Sequence, residues 1–154
     1  RSGCDDCQTV CPWNGSARER DPSRTRAFEP HPRWSEVSLE VLRQHRWEIF
    51  LLTPVTFRYY APVFMMAALF HHPELEAFAD NLIFSLTPKR EEHINNYFAG
   101  DYSDYFSRRV AAFSPEERAT ILSFLQTFSE LYPNEHLLYD VDLVGTTIAF
   151  WRRA

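Results

Sequence analysis

The chain has 154 residues, a net charge of -5, and 45% apolar and 16% aromatic content. That is enough for one domain with a real core plus a tail, and it excludes a chain that stays unfolded throughout. The acidic balance speaks against a nucleic-acid-binding surface over the whole domain, and the longest apolar run, APVFMMAALF at residues 61–70, is too short to span a bilayer.

The first feature in chain order is CDDCQTVCPWN, which holds all three cysteines, Cys4, Cys7 and Cys11, with Pro12 directly after the last. Iron–sulfur clusters are held by soft thiolates, usually four, and the bacterial run is C-x2-C-x2-C-x3-C-P, whose last cysteine serves the neighbouring cluster. The chain matches the last three cysteines and the proline; the first would fall at Arg1. By that pattern Cys4 and Cys7 are candidate ligands of one cluster and Cys11 of another, and neither is completed within the chain. Three other readings stand beside this one. A redox dithiol at Cys4 and Cys7 wants a helix N-terminus. Half a zinc site wants a second Cys or His pair at finger spacing. The third is chance. The proline after Cys11 separates the cluster reading from these. An odd cysteine count with no apolar leader at the start points to a reducing cytosol rather than a disulfide framework. The chain opens on Arg1, not Met, and is expected to be a fragment or the tail of a longer reading frame.

Residues 1–33 hold Pro12, Pro22, Pro30 and Pro32 and interleaved charges without helical or strand period, so they read as an extended arm. From Trp34 onward the pattern is that of amphipathic helices. SLEVLRQH predicts a short first helix with Val37, Val41 and Leu42 on one side. In the next, Thr53 caps and Pro54 opens, Phe57, Tyr60 and Phe64 form a stripe, and Pro62 is expected to force a kink or restart. PELEAFADNLIFSL, KREEHINNYFAG and DYSDYFSRRVAAF read as three short helices, the last capped by Asp101. SPEERATILSFLQTFSELYP has the clearest start, a Ser114–Glu117 capping box with Pro115 between, and Pro133 ends it. EHLLYDVDLVGTTIAFWRR reads as a final helix weakened by Gly145. With no repeat and no alternating strands, the expected fold is all-α: a compact helical bundle at 34–154 with a proline-rich, irregular arm at 1–33. Its expected core is Phe57, Tyr60, Phe64, Leu69, Phe113, Ile121, Leu122, Leu125 and Phe128.

GCDDCQTVCPWN followed by RAFEPHPRW resembles the second cluster segment and following linker of the tRNA epoxyqueuosine reductase family, over about residues 3–42. The shared residues include Asp5, Asp6, Gln8, Pro12, Trp13, Asn14, Phe28, Glu29 and Pro30. The resemblance implies an oxidoreductase of queuosine biosynthesis that uses cobalamin and two 4Fe-4S clusters, with Cys4, Cys7 and Cys11 as cluster ligands. That family also lacks a cysteine three residues before the one matched by Cys4 and recruits one from upstream. Its cobalamin domain, first cluster motif and C-terminal repeats have no counterpart here. Activity of this chain alone is therefore not expected, and cobalamin and tRNA enter only with an upstream part. LTPVTFRYYAPVFMMAAL, DNLIFSLTP and AAFSPEERATILSFLQTF resemble an uncharacterised bacterial family of small helical domains, over residues 34–132, which implies a fold and no activity. The chain thus reads as a junction between a cluster arm and a helical domain, by gene fusion, truncation or assembly artefact.

The other candidate chemistry is weaker. His71 and His72 are adjacent, so on a helix they diverge by about 100 degrees; they suit a helix C-terminus better than a metal. Glu91, Glu92 and His93 read as a solvated face, and Asp101 and Asp104 as a cap and its neighbour more than an acid/base pair. Arg58, beside Pro62, could hold an anion or satisfy the carbonyls that the proline frees, the second being the more economical. Two functions follow: a cytoplasmic remnant of an electron-transfer segment, or a non-enzymatic helical interaction module with a vestigial cysteine arm. No membrane partner is expected; a homodimer sharing cysteines is the one oligomer the residues suggest.

Overall fold

Four side chains open four helices by taking a backbone N–H that would otherwise go unpaired. Ser38 Oγ accepts from Val41 N at 3.3 Å, Thr53 Oγ1 from Thr56 N at 3.2 Å, Ser114 Oγ from Glu117 N at 3.3 Å, and Asp142 Oδ1 from Gly145 N at 2.7 Å. The computed structural model describes residues 33–75, 77–88, 102–133, 137–138 and 141–154. The described residues form six helices: α1 Leu39–Gln44, α2 Pro54–Phe70, α3 Phe78–Leu86, α4 Tyr102–Ala111, α5 Pro115–Leu131 and α6 Leu143–Trp151. Short 3-10 turns at Trp34–Glu36, Glu48–Phe50 and His72–Glu74 join them. The only pairing of strands among these residues is antiparallel, β1 Leu137–Leu138 with β2 Val141–Asp142, so the all-α expectation holds. The segment 89–101, with the helix expected over KREEHINNYFAG, and residues 1–32 of the arm lie outside the described residues.

Two expectations are corrected. Of the kink or restart expected at Pro62, the restart does not occur: α2 runs unbroken over 17 residues with the proline inside. The ring removes the N–H that would have bonded to the Arg58 carbonyl. Arg58 itself is exposed and Pro62 half-buried, so the proline lies on the outer side of the helix, away from the packed core. The last helix starts at Leu143, later than expected, because Leu137–Leu138 and Val141–Asp142 pair as strands first. Gly145 lies in its first turn rather than weakening its middle. A Cβ there would collide with the Asp142 carboxylate, so the glycine lets the cap close over the helix.

α2 packs against α3, α4 and α5, and α6 packs against α3 and α5. The direction of α2 relative to α5 follows from two contacts. Arg58, near the start of α2, pairs with Glu117 near the start of α5 at 2.9 Å. At the other ends the Tyr132 hydroxyl donates to Leu69 O at 2.7 Å. The two helices therefore run side by side and parallel. Between them and α6 the core is a chain of rings: Trp151–Phe113 at 6.1 Å, Phe113–Phe57 at 6.1 Å, Phe57–Phe64 at 6.0 Å and Phe64–Phe78 at 5.8 Å between centroids, all tilted or edge-on. Phe57, Phe64, Ile121, Leu125 and Phe128 are buried as expected, with Tyr60 and Phe113. Leu69 and Leu122 are only partly buried and border the core.

The end of α3 is closed off from water, so its last carbonyls need protein donors. Thr87 Oγ1 donates to Ile83 O at 2.7 Å and Thr87 N to Phe84 O at 3.2 Å. Arg109 Nη1 donates to Ser85 O at 3.3 Å, and Trp151 Nε1 to Leu86 O at 2.8 Å. The Thr87 and Thr147 hydroxyls also bond to each other, tying α6 to the same place. Every carbonyl of this terminus is thereby satisfied, half of them by residues from α4 and α6.

Candidate functional site

The three cysteines singled out in the sequence, Cys4, Cys7 and Cys11, lie outside the described residues, as do the Glu91, Glu92 and His93 cluster and Asp101. Among the described residues no group of three or more His, Cys, Asp or Glu side chains comes together. His71 and His72 diverge: His71 Nδ1 lies 3.4 Å from Glu74 Oε1, while the His72 ring packs on Phe128 and Tyr132 with centroids 5.5 and 4.6 Å away. Both rings are spent on structure at the end of α2.

Arg58 finds its partner within the chain, on another helix. Its Nε donates to both carboxylate oxygens of Glu117, at 3.0 and 2.9 Å. Glu117 also takes the Ser114 N–H at 2.7 Å to complete the capping box. One carboxylate thus closes the start of α5 and pins it to α2. Both partners are about half exposed, so the pair itself is worth about 0–1 kcal/mol; its larger effect is to hold α5 in register. Next to it, the Glu116 carboxyl is held below the usual carboxylate range by its own backbone N–H and the Ser114 hydroxyl, as suits an acid at a helix N-terminus.

Arg109 is the residue that sequence reasoning missed. It is 2% exposed, and its guanidinium is a fork among backbone carbonyls. Nη2 donates to Ile49 O and Leu52 O, each at 3.3 Å, and Nη1 to Ser85 O at 3.3 Å. The carbon of the guanidinium stands 4.0 Å over the Phe57 ring and 5.0 Å from that of Tyr105. No described carboxylate faces it; carbonyl dipoles and ring faces carry the compensation. The available signal was its place on the buried stripe Tyr105, Arg109, Phe113, at spacings of four. An arginine there either escapes to solvent or finds a buried role, and the sequence does not say which. With its guanidinium committed to these carbonyls, Arg109 is a structural staple joining α4, the Glu48–Phe50 turn and α3.

A groove of about 380 Å³ opens where α4, α5 and α6 meet, lined by Pro88, Phe106, Ser107, Val110, Ala111, Arg118 and Phe150. Its one charged side chain is engaged: Arg118 donates to Ala154 O at 2.7 Å and to Phe113 O at 3.1 Å. Among the described residues the rest of the lining is apolar apart from the Ser107 side chain, and no second titratable side chain lines the groove.

Four of the six large apolar side chains that are exposed among the described residues lie on α2. Its inner side is buried through Phe57, Tyr60, Ala61, Phe64, Ala67 and Ala68. Its outer side leaves Val55 74%, Tyr59 44%, Met66 49% and Phe70 69% exposed, with Pro62 and Val63 half-buried between them. At 100 degrees per residue these positions fall in one stripe along the whole helix, roughly 25 Å long. α5 shows what an ordinary outer face looks like: there Glu116, Thr120, Ser123, Thr127 and Glu130 meet solvent. A helix that is apolar all round is normally covered all round, and large exposed apolar stripes mark interaction sites.

No helix among the described residues is long and apolar enough to cross a membrane. Compared with models of protein families, residues 13–154 match that of a family of unknown function, DUF6714; the match begins two residues beyond Cys11. Among curated proteins and solved structures, none matches the chain.

Proposed function

The chain belongs to DUF6714, a family of unknown function, so its role has to come from its own residues, and we propose that its helical part is a non-enzymatic interaction module working through the outer face of α2. The observation that supports this is the stripe Val55, Tyr59, Met66 and Phe70, which sets four of the six exposed large apolar side chains among the described residues along one side of a single helix. The buried polar groups point the same way, since Arg109, Trp151 and Thr87 all serve the backbone. A working surface and a core respond oppositely to a polar substitution. Met66→Glu is expected to change the unfolding free energy by no more than about 0.5 kcal/mol, because Glu is a good helix former at an exposed site. A photoreactive side chain placed at Tyr59 is expected to cross-link between molecules. A loss of several kcal/mol, or adducts only within one chain, would show that the stripe is covered internally and would end the reading.

A second reading concerns the cysteine arm. The family match starts at Trp13, which leaves Cys4, Cys7 and Cys11 as an addition to the family domain and is compatible with an irregular arm that descends from the electron-transfer segment of a tRNA epoxyqueuosine reductase. On this reading the chain works in the cytoplasm, where thiols stay reduced, and needs an upstream part to bring cobalamin, the missing ligands and the tRNA. Residues 1–154 offer three thiolates, one short of the usual cluster set. Anaerobic reconstitution with iron and sulfide is therefore expected to leave the monomer without a stoichiometric cluster. A monomer carrying one full 4Fe-4S cluster would overturn the incomplete site; a metal-dependent dimer lost on Cys7→Ser would replace it with a shared one.

A further inference from the structure

We draw no further inference here: the strongest candidate, the groove where α4, α5 and α6 meet, carries none, because its one titratable side chain, Arg118, already donates to Phe113 O and Ala154 O and nothing in the structure shows what covers its apolar lining.

Discussion

Replacing Arg109 with Ala is expected to lower the unfolding free energy by about 3–5 kcal/mol. Two losses combine. The carbonyls of Ile49, Leu52 and Ser85 lose their shared donor at residues that are 1%, 0% and 0% exposed, where water does not replace it. The space left beside Phe57 also becomes a cavity in a packed interior. Arg109→Met separates the two. It keeps most of the volume and removes a charge that is costly to bury, so it should lose only about 1–3 kcal/mol. Arg109→Lys should not behave as a conservative change, because one ammonium cannot reproduce a planar fork aimed at three carbonyls. Urea unfolding with an unchanged slope would measure this. An Arg109→Ala protein within about 1 kcal/mol of wild type would show that the carbonyls have other partners.

The second large effect is expected at Phe57, where truncation to Ala should cost about 3–5 kcal/mol. Its ring is 0% exposed, packs on Phe64 and Phe113 with centroids 6.0 and 6.1 Å away, and forms the floor under the Arg109 guanidinium at 4.0 Å. It is therefore the link between the aromatic chain of the core and the polar staple. The two substitutions should not add. In a double-mutant cycle of Phe57→Ala with Arg109→Ala, the coupling should come to about 0.5–2 kcal/mol. Strict additivity would mean that the guanidinium gains nothing from the ring beneath it.

What could be read before folding was local in sequence. The caps at Thr53 and Ser114 bond to backbone or side chains three residues on, so a window of four residues contains the whole interaction. The same holds for the cysteine spacing, and for the apolar stripe of α5, where polar residues on the other side leave one way to face. Fold class and most of the core followed from these. Arg58 was visible as an anomaly but not its answer, since Glu117 is 59 residues away.

The tertiary structure alone decided the rest. Pro62 does not end α2: it is half-buried on the outer side, and the inner side is held by α3, α4 and α5. Arg109 became a staple because the ends of other segments brought their carbonyls to it. The exposed stripe was hidden in the sequence for a related reason. α2 is apolar around its whole circumference, so periodicity gives no sign of which side is covered. Only the placement of the neighbouring helices on one side turned Val55, Tyr59, Met66 and Phe70 into surface. The residues by themselves determined an all-α chain with its caps and its thiolate donors. Which apolar side became core and which became the candidate interface depended on contacts between helices far apart in the chain.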